Sequence, residues 1–280
     1  MPSLLIVGGL TVDRFADGSR APGGSVLHAG LAAAAEGADL TILTVAGDEP
    51  EARAGLARLD AYGTLLRQSS PATTTYRHEE SDGHRVLVYE DAAPPIDVDD
   101  LAGLPPADVV LVAPIAHELA PGSIERLRRA SGAKLAVLLI QGWLRELRIG
   151  EPASPRRLDE LPPELWAEFG AADAVVVSVE DFAGEASDPF AQAAAIRAHL
   201  GPRPILVLTL ATDGYLLDDP TAERVVASVP RHVVEGVPAV GAGDTFGAAL
   251  AIHLAHGTSP AVAATAATER VIAVLEARKA

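Results

Sequence analysis

Ser3-Leu4-Leu5-Ile6-Val7, then residues 25–36 (SVLHAGLAAAAE), then Leu40-Thr41-Ile42-Leu43-Thr44-Val45 decide how this chain is read. An unbroken apolar run, an Ala-rich stretch closed by Gly37 and a second apolar run spell strand, helix, strand. A strand with no polar alternation has both faces covered, as in a parallel sheet between helices. The rhythm continues along the chain, with strands expected at 108–112, 135–140, 174–177 and 205–210. Helices are expected at 50–59, 124–130, 189–200, 243–256 and 260–278. The expected fold class is therefore α/β: a doubly wound α/β/α arrangement around a mostly parallel sheet.

The 280 residues are 49% hydrophobic and carry 22 Lys+Arg against 38 Asp+Glu, a formal net charge of −16. A mean hydropathy of +0.22 excludes a disordered chain. So negative a surface repels phosphate backbones and anionic lipid, which argues against nucleic-acid and membrane partners. With Cys 0 there is no disulfide framework, thiol chemistry or Cys-ligated metal. Residues 1–12 are apolar but lack a basic leader and a cleavage site, and Gly8-Gly9 interrupts them. Residues 245–268 carry no charge, yet His253, His256, Gly257 and Pro260 lie among them, which reads as two helices meeting at a turn. The expected location is cytoplasmic.

One segment breaks the alternation. Thr73–His78 and Arg85–Glu90 flank Ser81-Asp82-Gly83-His84, the signature of a β-hairpin turning at Asp82-Gly83. With residues 10–15 it forms either an edge of the main sheet or a small projecting sheet that closes over a cleft.

Gly241-Ala242-Gly243-Asp244-Thr245-Phe246-Gly247 carries the strongest chemical signal. Two glycines permit a tight turn, and the helix that follows offers unpaired N–H groups to an anion. Asp244 beside them either caps the helix or faces a nucleophile while the amides hold a transferring phosphoryl group. A Walker A loop is excluded, because neither Lys134 nor Lys279 follows Gly and precedes Ser or Thr. A dinucleotide fingerprint is excluded by the late position and the misplaced third glycine. Near the N-terminus, Gly8-Gly9-Leu10-Thr11-Val12-Asp13 and Pro22-Gly23-Gly24-Ser25-Val26-Leu27-His28 place an acid, a Gly-Gly turn and a helix in sequence. Asp13 suits pairs of sugar hydroxyls, although alone it reads equally as a turn residue and His28 as a half-buried helix residue.

Together these segments resemble the ribokinase-like (PfkB) family of ATP-dependent carbohydrate and nucleoside kinases, over nearly the whole chain. The resemblance implies one kinase domain spanning 1–280, with a β-sheet lid from about 10–20 and 72–92. It implies ATP and Mg²⁺ as donor and cofactor, a small sugar or polyol as acceptor, and a homodimer through the lid, which Val86 and Val88 would support. Asp244 takes the place of the general base, and the amides of Gly241, Ala242 and Gly243 that of the anion hole. Asp13, Gly23, Gly24 and His28 map to the sugar side, with Arg77 of the hairpin in reach of substrate. Thr209 and Ser178 map to the nucleotide, and Glu180 and Asp181 to Mg²⁺ through water. Three departures stand out: His28 where the family has Asn, Pro238-Ala239 where Asp-Thr is common, and Ser178-Val179-Glu180-Asp181 in place of Asn-x-x-Glu. They leave open a nucleoside kinase or a non-catalytic sugar or nucleotide sensor. His253 and His256, three apart on a helix, lack a third ligand and read as packing residues.

Overall fold

A computed structural model describes residues 1–279 apart from 82–83, 100, 102, 184–187 and 223–224, with the side chains of 81, 84 and 85 also left aside. In chain order the strands are β1 (Ser3–Gly8), β2 (Thr11–Arg14), β3 (Arg20–Gly23), β4 (Asp39–Ala46), β5 (Thr64–Ser69), β6 (Thr74–Ser81), β7 (His84–Asp91) and β8 (Val109–Ala113). They continue with β9 (Leu135–Leu139), β10 (Arg145–Glu146), β11 (Ser154–Pro155), β12 (Ala174–Ser178), β13 (Ile205–Thr209), β14 (Tyr215–Asp218) and β15 (Val226–Ser228). The helices are α1 (Ser25–Ala35), α2 (Pro50–Asp60), α3 (Ser123–Ser131), α4 (Pro163–Ala171), α5 (Pro189–Leu200), α6 (Ala242–Ala255) and α7 (Pro260–Lys279).

Nine strands form one sheet in the order β15-β14-β13-β12-β9-β8-β1-β4-β5. All pairings from β13 to β5 are parallel, while β14 and β15 are added antiparallel. One apolar core lies between the sheet and α1, α2, α6 and α7; another lies between the opposite face and α3, α4 and α5. The doubly wound expectation therefore holds. Residues 245–252 of α6 are all buried, which explains their lack of charge. No helix among the described residues is long and apolar enough to cross a membrane. Strand β5 was not anticipated because it lies at the sheet edge, where Arg67 and Gln68 are tolerated; the Arg67 guanidinium donates to the Ala46 and Gly47 carbonyls.

The β2, β3, β6 and β7 strands form a separate sheet in the order β3-β2-β6-β7. The turn expected at Asp82-Gly83 lies outside the described residues, although Ser81 pairs with His84 on either side of it. The free edge of β7 is covered. Tyr89 N–H donates to Glu151 O at 3.0 Å, Gly150 N–H to Tyr89 O at 2.7 Å and Ala153 N–H to Leu87 O at 2.7 Å. Val88, expected to support pairing between copies, is buried and bridges Pro152 of its own chain.

Chain order reverses between β1 and β8: later elements build outward on one side, β4 and β5 on the other. Ligands in such sheets sit beyond the carboxyl ends of the strands at that point. Gly8, the last residue of β1, packs so closely on β8 that an added Cβ would lie 2.0 Å from the Ala113 carbonyl oxygen. Gly8→Ala is expected to destabilise the fold by about 2 kcal/mol or more through this backbone clash, read as a lower urea midpoint with an unchanged m value.

Candidate active site

A cavity of about 790 Å³ opens over the carboxyl ends of the central strands. Thr11, Asp13, Phe15, Tyr76, His78 and Leu87 of the small sheet line one end of it. Ser178 and Thr209, at the ends of β12 and β13, belong to the other. Beyond them Val233, Val237, Val271, Ile272 and Leu275 make an apolar wall between the loop before α6 and one face of α7. His28, Gln141, Arg145 and residues 241–244 lie between the two ends.

Helix α6 is capped by Gly241, whose φ of 76° is the left-handed conformation glycine tolerates. Asp244 is therefore a first-turn residue and not the cap, and none of the hydrogen bonds among the described residues uses its carboxylate. An added Cβ at Gly241 would lie 2.2 Å from Cγ of His28, so the imidazole on α1 packs directly on this turn. Arg278 near the end of α7 donates to the carbonyls of Pro238 and Val240 and fixes the approach to the turn. The expected three-amide hole needs correction. Ala242 N–H donates to Ala239 O at 3.0 Å within the turn, whereas the N–H groups of Gly243 and Asp244 have no such partner. Nothing lies within 4 Å of a Cβ built on Gly243, so the side of the helix at that residue is open.

Asp244 is half-buried on the cavity wall, and desolvation pushes its pKa up to about 7; Arg145 opposes the rise and nearby Asp181 adds to it. Asp181 is likewise raised by burial, although it accepts from Ser178 N–H at 2.8 Å and faces Arg145. Arg145 was missed by the sequence reading. It sits in the two-residue strand β10, its charge acts on both acids, and its Nη1 is buried without a hydrogen-bond partner among the described residues.

At the small-sheet end, the Asp13 carboxylate accepts from Thr11 Oγ1 at 3.0 Å and lies 3.4 Å from His78 Nε2. Gly23 belongs to this arrangement by its smallness, since a Cβ there would sit 2.4 Å from Asp13 Oδ2. Gly24 caps α1 with φ 93° and lines the cavity. Arg77 is a correction. Side chains alternate across β6, so Arg77 points to the opposite face from His78 and is held by Glu90 and Glu79 away from the cavity lining. Thr209 donates to Val177 O at 3.4 Å, and Ser178 Oγ accepts from Glu180 N–H, so both hydroxyls are partly engaged. Glu180 lines the cavity, yet no three His, Cys, Asp or Glu side chains among the described residues group as metal ligands.

A carboxyl with a folded pKa near 7 and an unfolded value of 3.8 binds more protons in the folded state. Stability therefore falls as pH rises between those values and stays lower above them. Asp244→Asn is expected to raise stability by about 1–3 kcal/mol at pH 8 and by progressively less toward pH 4, checked by melting curves across that range.

No family model matches the chain, and no curated protein matches it in sequence. Solved structures do. A pyrophosphate-dependent kinase in the ribokinase family, complexed with a pyrophosphate analogue and myo-inositol, aligns with TM-score 0.79 and 21% identity over 98% of this chain and 95% of its own. Fructokinase from Vibrio cholerae aligns with TM-score 0.71 and 20% identity over 100% of both chains. Arabidopsis thaliana ribokinase, complexed with ribose and ATP, aligns with TM-score 0.69 and 18% identity over 98% of this chain and 99% of its own. With its nine-stranded mixed sheet and separate four-stranded sheet, this chain has the ribokinase-like α/β fold.

Proposed function

We propose that the chain is an ATP-dependent kinase, a single domain over residues 1–280, that phosphorylates a hydroxyl of a small sugar or polyol. The observation that carries this reading is Asp244: a half-buried carboxylate with no hydrogen-bond partner among the described residues, beside helix N–H groups left unbonded, in the cavity that also holds Asp13. Asp244 accepts the proton of the acceptor hydroxyl while its oxygen bonds to the γ-phosphorus and the bond to the ADP oxygen breaks. The N–H groups of Gly243 and Asp244, with the positive end of α6, hold the phosphoryl oxygens. Arg145 offers them its unpaired Nη1 and favours the ionised form of Asp244. The small sheet is the lid, and its inner face with Asp13 and His28 takes the acceptor. The wall of Val233, Val237 and Ile272 suits the flat apolar face of a nucleobase, with Thr209 and Ser178 toward its phosphates.

Mg²⁺ fits this chain as an ion held mainly through water and donor phosphates. Glu180 and Asp181 stand on the donor side, and among the described residues Arg145 is the only Lys or Arg lining a cavity that contains Asp13, Glu180, Asp181 and Asp244. The ion would neutralise charge on the phosphates. A pure sensor gains nothing from Asp244, whose desolvation lowers stability at neutral pH.

Asp244→Asn is expected to lower kcat by at least ~10²–10³, the scale of losing a group that acts in the transition state, with acceptor affinity kept. Coupled ADP release over pentoses, hexoses, inositols and nucleosides measures it, with pyrophosphate run beside ATP as donor. A wild-type rate in this variant removes the base assignment. In the active enzyme kcat/KM should rise with pH around the Asp244 value near 7. Arg145→Met, which removes the charge that lowers that value, should move the acid limb to higher pH.

A further inference from the structure

We propose that Glu118 is a positioning residue that joins the small sheet to Arg145, so that the sheet and the guanidinium of the transfer site hold one geometry. The task given to Arg145 rests on the kinase reading; the joint rests on hydrogen bonds alone. Glu118 is buried in the loop that follows β8. Its Oε1 accepts from Ile115 N–H and its Oε2 from Ala116 N–H, both at 2.7 Å, and Gly9 N–H is a third donor. Gly9 lies on the first crossing into the small sheet, between β1 and β2, and an added Cβ there would lie 2.5 Å from Glu118 Oε1. The main chain of the same residue holds the last crossing out: Glu118 O accepts from Ile96 N–H at 2.7 Å, beyond the end of β7. An apolar side chain at 118 would leave the N–H groups of Gly9, Ile115 and Ala116 without this acceptor, which is costly in a dry interior.

The loop that holds Glu118 also seats Arg145. Gly142 N–H donates to Pro114 O at 3.2 Å, and an added Cβ at Gly142 would lie 2.5 Å from that oxygen and 2.6 Å from Ala116 O. Trp143 Nε1 donates to Leu119 O at 2.7 Å, and His117 Nε2 donates to Arg145 O at 2.9 Å. Residues 142–145 are thus fastened to residues 114–119 along their length. From the small sheet, Tyr76 of β6 reaches the same loop: its hydroxyl donates to Ile115 O at 3.0 Å, and the Arg145 charge acts on that hydroxyl. Arg145 has little sheet of its own to hold it, since among the described residues β10 pairs only with the two residues of β11. Its placement against Asp181 and Asp244 is therefore borrowed from the loop. Hydrogen bonds to a charged acceptor are stronger than neutral ones, so Glu118 is the member of this chain whose loss loosens both sides.

The test uses the full chain with Glu118→Gln, which keeps the volume and one acceptor oxygen, and Glu118→Asp, which keeps the charge and shortens its reach. Either variant carries the comparison if the other does not fold. Glu168→Gln is the control: that carboxylate is also buried and accepts from Gly122 and Ile124 N–H at 2.6 and 2.8 Å, but at the start of α3. Hydrogen exchange of the ligand-free proteins is followed by mass spectrometry. Exchange in residues 9–14, 92–98 and 141–146 should rise together by about fivefold or more in the Glu118 variants, and stay within about twofold in Glu168→Gln. The proposal is overturned if exchange rises throughout the chain, if the crossings loosen without 141–146 or the reverse, or if nothing changes beyond about twofold. A kinetic cycle tests the link to transfer, using coupled ADP release with the best acceptor among pentoses, hexoses, inositols and nucleosides. The kcat of Glu118→Gln should fall about tenfold or more, while Glu118→Gln/Arg145→Met stays within about twofold of Arg145→Met alone. Losses that multiply overturn the coupling to Arg145. A wild type that turns over no acceptor removes the kinase reading, and the exchange result still decides the joint.

Discussion

Helices α1 and α6 meet where the imidazole of His28 lies on the Cα of Gly241, and the remaining geometry of the site depends on that contact. A side chain at position 241 would be driven into the ring, and the φ of 76° needed to start α6 there is itself unfavourable for any residue but glycine. The contact sets the distance between two elements from opposite ends of the chain. Helix α1 begins at Gly24, next to the strand bearing Asp13; α6 begins at the amides in front of Asp244. Group transfer between two bound molecules requires their sites to be held in near-attack register. On the proposed kinase reading, backbone packed on a ring would set that register, and Arg278 holds the preceding loop from behind.

Two carboxylates raised by desolvation show how differently the chain satisfies them. Glu118 is fully enclosed and its pKa is raised by burial, but its oxygens accept from Ile115 and Ala116 N–H at 2.7 Å each, and Gly9 adds a third donor. These bonds tie the side chain to the joint between the small sheet and the main sheet, and among the described residues it does not line the cavity. Asp244 has no such bonds. Its only compensation is the field of Arg145 across the cavity, partly undone by Asp181. A half-buried carboxylate without hydrogen-bond partners is unfavourable for folding, and Asp244 sits in that state on the wall of the cavity.

Much of the architecture was readable from local patterning. Apolar runs covered on both faces, such as 3–7 and 174–177, can only be central strands, and the uncharged stretch 245–268 resolved into α6 and α7 on either side of Gly257. What could not be read depends on one-residue differences or long-range contacts. The sequence points to Arg77 and is silent on His78 because composition does not tell which face of a hairpin strand looks inward; the pairing with β2 decides it. Ala242 was counted as an anion donor because sequence does not show that its N–H already belongs to Ala239 O. Arg145 sits in a two-residue strand with no periodicity, and its importance comes entirely from the acids that the fold brings to it. Strand β14 was hidden because it follows a tight turn at Gly214, whose φ is 96°, and pairs by chain reversal where alternation predicted a crossover.

The segment 150–153 that runs along β7 has a bearing on how the molecule survives in a crowded solution. A sheet that stands away from its parent body would otherwise present a row of unsatisfied amides and carbonyls, an open template on which a foreign extended chain can grow. Three hydrogen bonds from the neighbouring loop occupy part of that row before any stranger can. The small sheet is thereby kept from templating a foreign strand along this stretch, and the loop's dull proline-bearing sequence acts as its selvedge.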